Sequence, residues 1–207
     1  MARAARRCRA SRGAGVELRE EELFGLSLLR PVAPDELISE EAFEHDEFLP
    51  YWAELWPASL ALAEALPEVA GLRVCELGCG LAVPSLLAAA RGAEVTATDW
   101  SEDAIELVRD NAARNGVVVR AEVRDWREPW AERFDLVLAA DVLYERRNVE
   151  PLLALLPSLA PVALLGLAGR PYEAEFLGLA GEPEEVAPRV VRFTRASSGG
   201  RRAPPGA

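Results

Sequence analysis

The sequence contains no lysine, a single histidine and three cysteines, so all 23 basic residues are arginine. Cys8, Cys75 and Cys79 form no C-x-x-C pair, and His45 is the one imidazole, so we expect no metal site. His45 lies among acidic residues without a nucleophile nearby, and we interpret it as a solvated surface residue. Three thiols do not make a disulfide framework and are typical of a reduced, cytoplasmic protein.

Long apolar segments and a surplus of positive charge are also missing. No uninterrupted apolar run approaches the roughly 18 residues of a membrane-spanning helix, so we expect no membrane association. The net charge is -11 and the isoelectric point is near 4.8. Because phosphate neutralisation requires a basic face, this charge argues against nucleic acid as a partner. It favours a neutral or cationic partner.

The length of 207 residues, with 50% hydrophobic content, supports one domain with a sizeable core. Residues 1–15 contain arginines without acids and lack an apolar signal core, so we predict a disordered basic extension. Residues 197–207 are rich in Gly, Pro and Arg and are predicted to form a disordered tail. The single domain is therefore expected over residues 16–196.

Residues 73–85 organise the chain, since they have the pattern of a buried strand, a glycine turn and the start of a helix. Gly78 and Gly80 let the backbone turn sharply and bring bare N–H groups against a ligand. A dinucleotide-binding turn has a third glycine where Val83 stands here. Glu76 disfavours a diphosphate and favours a cationic ligand such as S-adenosylmethionine, whose sulfonium and amino groups are both positive.

Acidic residues follow two further predicted strands. The strand at residues 94–99 ends in Asp99, roughly 20 residues past the glycines, where a carboxylate can hold a ribose diol. Asp99 alone does not separate a nicotinamide dinucleotide from S-adenosylmethionine. The strand at residues 117–123 leads to Asp125 and Trp126, and Asp125 is placed to accept a hydrogen bond from an adenine amino group.

Two tryptophans precede the glycine turn. Trp52 and Trp56 are four residues apart and would share a face if the segment were helical. Pro57 is predicted to open a helix through Leu66. Aromatic rings beside glutamate suit a cationic or adenine ligand. For Trp56 a ligand contact and a place in the core are equal alternatives, and for Trp52 the core is favoured.

Strands and helices alternate along the rest of the chain, which predicts a doubly wound, mostly parallel, seven-stranded Rossmann-like α/β sheet with an antiparallel closing strand. The apolar strand at residues 134–140 suits the middle of such a sheet. Ser101 is expected to cap a helix. The further expected elements are a hairpin at 16–18 and 26–32, helices at 149–156 and 172–179, and strands at 161–168, 184–187 and 190–194.

These motifs together resemble those of class I, seven-strand S-adenosylmethionine-dependent methyltransferases. The resemblance is carried, in order, by Glu76-Leu77-Gly78-Cys79-Gly80, Asp99, Asp125-Trp126 and Asp141-Val142-Leu143-Tyr144. Residues 50–57 and the D-x-x-Y run are similar to the small protein-lysine methyltransferase group and to bacterial nicotinamide N-methyltransferase-like proteins. The match covers roughly residues 49–194.

The resemblance implies a role for each matched residue. The cofactor S-adenosylmethionine would be bound by Trp56, Glu76, Gly78, Gly80, Asp99, Trp100, Asp125 and Trp126. Asp141 and Tyr144 would face the methyl acceptor as catalytic residues. The absence of an Asn-Pro-Pro-Tyr or Asp-Pro-Pro-Tyr run disfavours the DNA and glutamine enzymes that methylate amino groups.

The function expected from the resemblance is an N-methyltransferase that acts on a lysine of a partner protein. Because the sequence has no lysine, the enzyme cannot methylate a lysine of its own. One alternative is a small-molecule enzyme for an amine or a pyridine such as nicotinamide. A second is a non-catalytic interaction protein with this fold, and a dehydrogenase is the least favoured. Asp141 is expected to grip and orient the acceptor and not to act as a general base, because its charge would hold an ammonium ion more firmly.

Overall fold

The computed structural model describes residues 7–8, 16–37 and 50–194. The interpretation of His45 falls outside these ranges, as do the predicted tail and the predicted extension apart from residues 7–8. The bounds of the domain stay a prediction.

A small antiparallel sheet begins the described chain. It consists of β1 (Arg7–Cys8), β2 (Val16–Leu23) and β3 (Leu26–Pro31), in that spatial order. β2 and β3 pair as a hairpin, with Leu23 opposite Leu26 at the turn. The hairpin expected from the sequence is confirmed.

The central sheet has seven strands in the order β6-β5-β4-β7-β8-β10-β9. Neighbours from β6 to β8 are parallel, whereas β10 runs antiparallel to β8 and to β9. The predicted fold class is therefore confirmed. The strands are β4 (Arg73–Leu77), β5 (Glu94–Asp99), β6 (Val119–Val123), β7 (Leu136–Ala140), β8 (Val162–Gly166), β9 (Glu184–Ala187) and β10 (Val190–Thr194).

Helices cover both faces of the central sheet. The helices are α1 (Pro57–Glu64), α2 (Val83–Ala90), α3 (Glu102–Arg114), α4 (Val149–Leu159) and α5 (Glu173–Ala180). The hydroxyl of Ser101 accepts a hydrogen bond from the Ala104 amide at 3.3 Å, which confirms the predicted N-cap of α3. Within the described ranges, none of the helices has both the length and the apolar character needed to cross a membrane.

β4 contributes apolar side chains to the cores on both faces of the central sheet. Val74 belongs to a core cluster with Leu62 of α1 and Leu86 of α2. Leu77 belongs to a second cluster, with Leu152 of α4 and other side chains. Alternate side chains of one strand thus enter cores on opposite faces of the sheet, as in other doubly wound folds.

The tryptophan segment is not one continuous helix. Residues Tyr51–Ala53 form a single 3-10 turn, and Trp56 is extended, with φ -72° and ψ 134°. The cause is Pro57, because a proline disfavours helical geometry at the residue before it. Trp52 and Trp56 therefore do not share a helical face, and α1 ends at Glu64, two residues before the predicted end.

Candidate active site

The turn after β4 requires glycine for its conformation and for space. Gly78 and Gly80 have φ of +60° and +50°, in the left-handed region. A Cβ atom on Gly78 would lie 2.9 Å from the Trp126 ring, and one on Gly80 would lie 3.1 Å from the Trp52 carbonyl oxygen. Any side chain at these two positions would therefore disturb both the backbone and the walls around the turn.

A cavity of about 510 Å³ opens over this turn. Its volume lies within the range of about 300–1,000 Å³ that is usual for small-molecule sites. The structure brings every predicted site residue except Asp125 to its walls, namely Trp56, Glu76, Gly78, Gly80, Asp99, Trp100, Trp126, Asp141 and Tyr144. The common cause is topology, because the carboxyl ends of parallel strands meet at one edge of the sheet.

Asp125 lies in an adjoining cavity of about 430 Å³. Trp100, Trp126 and Tyr144 line both cavities, so the two spaces share walls. The Asp125 carboxylate accepts a hydrogen bond from Nη2 of Arg127 at 2.6 Å. This interaction lowers the pKa of Asp125. Its expected contact with an adenine amino group stays a prediction.

Two buried carboxylates lie beside the glycine turn. Glu76 is 1% exposed and accepts a hydrogen bond from the Ser85 amide at 2.9 Å. Burial raises the pKa of Glu76 to about 8, although the hydrogen bonds from Ser85 oppose the shift. Asp99 accepts hydrogen bonds from the Gly80 and Ser101 amides at 2.8 and 3.0 Å, and burial raises its pKa. A positively charged ligand would offset the effect of burial and favour the ionised form of both groups, and each carboxyl group can accept hydrogen bonds from a ligand.

These features fit the S-adenosylmethionine predicted from the sequence. The two glycines leave the turn bare where side chains would fill the space. Glu76 and Asp99 suit its positive groups and its ribose hydroxyls. The volume and the chemistry of the cavity are therefore both compatible with this cofactor.

Asp141 holds a salt bridge that was not predicted from the sequence. It directly follows β7 with φ +53°, and its amide donates to the Gly166 carbonyl oxygen at 3.0 Å. Its carboxylate accepts two hydrogen bonds of 2.7 Å, from Nε and Nη2 of Arg170. Such a bidentate ion pair fixes both side chains in orientation. The sequence offered one indication of this ion pair, which is that Arg170 follows β8 as Asp141 follows β7. The carboxyl ends of both strands lie at the same edge of the sheet.

The loop that carries Arg170 is held by a buried glutamate. The Glu173 carboxylate accepts hydrogen bonds from the amides of Ala168 and Gly169, at 2.7 and 3.0 Å. Glu173 is 8% exposed. Hydrogen bonds from backbone amides to a buried carboxylate are strong, so this loop has a defined conformation.

Aromatic rings line the same cavity as the ion pair. The Trp56 ring centroid lies 5.3 Å from the guanidinium carbon of Arg170, and its indole N–H donates to the Tyr51 carbonyl oxygen at 2.8 Å. The rings of Tyr51 and Tyr144 are 5.5 Å apart. Burial raises the pKa of Tyr144 to about 12, so its hydroxyl stays protonated at neutral pH. Tyr51 was part of the sequence motif but was not predicted as a site residue.

The residues that the structure describes contain no candidate metal site. Among those residues, no group of three or more His, Cys, Asp or Glu side chains could hold a metal ion. Cys75 and Cys79 are buried free thiols.

The strand order of the central sheet and the glycine turn after β4 agree with the S-adenosylmethionine-dependent methyltransferase fold that the sequence predicts. Comparison with known families agrees with this assignment. The family described as "Lysine methyltransferase" matches residues 50–166, which is more than half of the chain. The chain belongs to this lysine methyltransferase family, and the sequence prediction is confirmed at the level of family and fold.

Curated relatives are similar over part of their length. The chain is 33% identical over 102 residues to EEF1A lysine methyltransferase 3 of Mus musculus, covering 44% of each protein. It is 32% identical over 115 residues to histone-arginine methyltransferase METTL23 of Xenopus laevis, covering 50% of the chain and 49% of the relative. Ribosomal protein L11 methyltransferase of Pseudomonas paraeruginosa is 35% identical over 114 residues, covering 49% of the chain and 35% of the relative. The chain thus spans half or less of the length of these relatives.

Solved structures share the fold at low sequence identity. The 16S rRNA N2 G1207 methyltransferase RsmC of T. Thermophilus, in complex with AdoMet and guanosine, has a TM-score of 0.61 at 20% identity, covering 86% of this chain and 50% of that one. A TehB-like SAM-dependent methyltransferase from Corynebacterium glutamicum has a TM-score of 0.56 at 20% identity, covering 79% of this chain and 100% of that one.

Proposed function

We propose that the protein transfers a methyl group from S-adenosylmethionine to the side-chain nitrogen of a lysine in a partner protein. The observation that carries the proposal is the shared cavity, in which Asp141 and Tyr144 lie beside the glycine turn and the buried acids. Membership of the lysine methyltransferase family supports the choice of acceptor. The net charge of -11 supports a basic partner surface.

In this proposal the cofactor residues are those expected from the resemblance. Glu76, Gly78 and Gly80 bind the methionine and ribose portion, and Asp99 binds the ribose hydroxyls. Trp56, Trp100, Asp125 and Trp126 enclose the rest of the nucleoside. When bound, the cofactor supplies a methyl carbon that its sulfonium has already activated.

The remaining work of the chain is to orient the acceptor and to exclude water. Asp141 accepts a hydrogen bond from the acceptor amine, because its carboxylate has about four lone-pair sites and Arg170 uses two. Tyr51 and Tyr144 flank the stem of the acceptor side chain. The amine loses its proton to solvent before transfer, so no general base is required.

The test is to incubate the enzyme with isotopically labelled S-adenosylmethionine and a lysate of its source, and to identify labelled products by mass spectrometry. We expect methyl-lysine in a protein. Because the enzyme has no lysine, methyl-lysine in the reaction comes from another protein. The relatives' names, which refer to EEF1A, histone and ribosomal protein L11, make protein acceptors the first to examine.

The variant Asp141→Ala serves as the matched control. We expect it to abolish methyl transfer and to leave cofactor affinity, measured by calorimetry, nearly intact. Equal loss of both would contradict the role of Asp141 at the acceptor. Label in free nicotinamide or another small amine without protein label would favour the small-molecule alternative. No binding of S-adenosylmethionine or S-adenosylhomocysteine would favour a non-catalytic protein. The cytoplasmic compartment stays a prediction.

A further inference from the structure

The cation that faces Asp141 in the structure is Arg170. Its guanidinium makes two hydrogen bonds of 2.7 Å with the carboxylate and packs against the Trp56 ring. The Asp141 side chain is 4% exposed and that of Arg170 is 34% exposed. The positive charge is thus placed at the wall of the cavity, next to a carboxylate that has little access to water.

An ionised carboxylate by itself would oppose transfer to an amine. The attacking nitrogen must carry a free lone pair, so an amine acceptor reacts only when it is neutral. A nearby negative charge stabilises the ammonium form and raises the pKa of the amine. A nearby positive charge has the opposite effect. The positive partner in an ion pair offsets part of the field of the carboxylate, and the carboxylate still offers lone pairs for orientation.

We propose that Arg170 is a positioning residue that neutralises Asp141, so that the pair orients an uncharged acceptor amine and does not retain it as an ammonium ion. This inference rests on the proposed function, since it concerns an amine acceptor. Glu173 supports the arrangement by holding the Ala168 and Gly169 amides of the same loop.

Other charged groups contribute to the field at this position. Arg170 also faces Glu173 and Tyr51. The cavity is lined by further charged side chains: Glu54, Glu76, Asp99, Glu145 and Arg147. The side chains that line the cavity stay unchanged when Arg170 alone is substituted, and the double variant Arg170→Gln/Asp141→Asn isolates the part of the effect that depends on Asp141.

The first test compares the pH dependence of kcat/KM for lysine methylation in wild type, Arg170→Gln and Arg170→Lys. Gln removes the charge but keeps a hydrogen-bond donor. We expect the rising limb of the Arg170→Gln profile to move about one unit to higher pH, which lowers kcat/KM about tenfold on that limb. Arg170→Lys keeps the positive charge. Its kcat/KM should rise over the same pH range as that of wild type but reach a lower maximum. Two results overturn the inference. One is a kcat/KM of Arg170→Gln that is reduced equally at every pH, and the other is a rising limb that moves as far in Arg170→Lys as in Arg170→Gln.

The second test needs no methyl transfer. Methylammonium chloride is titrated into each protein near neutral pH, with potassium chloride at equal ionic strength as the reference, and tryptophan emission is recorded. We expect Arg170→Gln to bind methylammonium about tenfold more tightly than wild type, because an unpaired carboxylate prefers a cation. The gain should vanish in Arg170→Gln/Asp141→Asn. Equal affinity, or a gain that persists in the double variant, overturns the inference.

The second test also separates the inference from the proposed function. If wild type methylates no protein lysine, the proposed function fails, and the methylammonium titration still decides the role of Arg170. Arg146→Gln is the matched control, since Arg146 makes a bidentate pair with Glu175 outside the cavity. It should change neither the pH profile nor methylammonium binding, and a change equal to that of Arg170→Gln overturns the inference. Thermal unfolding of every variant verifies the fold.

Discussion

The side-chain amide of Asn111 on α3 pairs with the backbone of Leu29 on β3 as a neighbouring strand would. Its Oδ1 accepts from the Leu29 N–H at 2.7 Å, and its Nδ2 donates to the Leu29 carbonyl oxygen at 3.0 Å. One helical turn later, Asn115 makes the same pair of bonds with Ser27, at 2.8 and 2.9 Å. The helix thereby satisfies the outer edge of β3, which would otherwise expose unpaired backbone groups.

We therefore expect Asn111→Ala to reduce the free energy of unfolding by about 1–3 kcal/mol, because Asn111 is fully buried and the Leu29 groups would lose their partners. Urea denaturation followed by circular dichroism measures the change. Glu106→Ala, at an exposed position of the same helix, should be close to neutral. Faster hydrogen exchange at the Leu29 amide should accompany the loss, and unchanged exchange would contradict this account.

Gly166 is needed for close packing between β8 and α1. A Cβ atom there would lie 2.5 Å from the Ala58 carbonyl oxygen. Gly166→Ala should destabilise the protein by about 1–3 kcal/mol through overpacking. The displaced start of α1 should also alter the emission of Trp56. Gly178→Ala is the control, because that glycine lies inside α5 with open space around its Cβ position, and there we expect a gain of about 0.5–1 kcal/mol. Equal effects at the two glycines would refute the packing argument.

Glu76 should make stability depend on pH. Its pKa is raised to about 8 in the folded protein, against 4.5 as its ordinary value. The folded state therefore retains a proton that the unfolded state releases, and stability from this residue is complete below pH 4.5 and lost as pH rises through 8. The difference in unfolding free energy between wild type and Glu76→Gln should fall by at most about 1.4 kcal/mol per pH unit in this window. Urea titrations at several pH values measure it, and a difference that is constant with pH would exclude the assignment.

Glu173 should control the mobility of the loop that carries Arg170. Glu173→Ala removes the acceptor of the Ala168 and Gly169 amides. We expect faster hydrogen exchange at these two amides and a stability loss of about 1.5–3 kcal/mol, as for other hydrogen bonds to charged groups. Glu175→Ala on the same helix, whose partner Arg146 is on the surface, should leave both amides protected. Protection that survives in Glu173→Ala would show that another contact holds the loop.

Local patterns were enough to predict the glycine turn and its acids. Gly78 and Gly80 form the sharp turn that the sequence predicts, and their φ values are positive. Glu76 and Asp99 lie beside them because parallel strands end at one edge of the sheet. The element order was predicted for the same reason. Trp52 and Trp56 do not share a helical face, because Pro57 holds the backbone of Trp56 in an extended conformation.

The sequence by itself determined the class of sheet, the glycine turn and the acids that follow the strands, since each depends on a few adjacent residues and on a regular topology. Tertiary structure alone decided which distant groups meet. Arg170 reaches Asp141 across 29 positions, and Leu29 reaches Asn111 across 82. The physical reason is that these contacts depend on how loops and helices pack in three dimensions. No local sequence pattern specifies which distant residues come into contact.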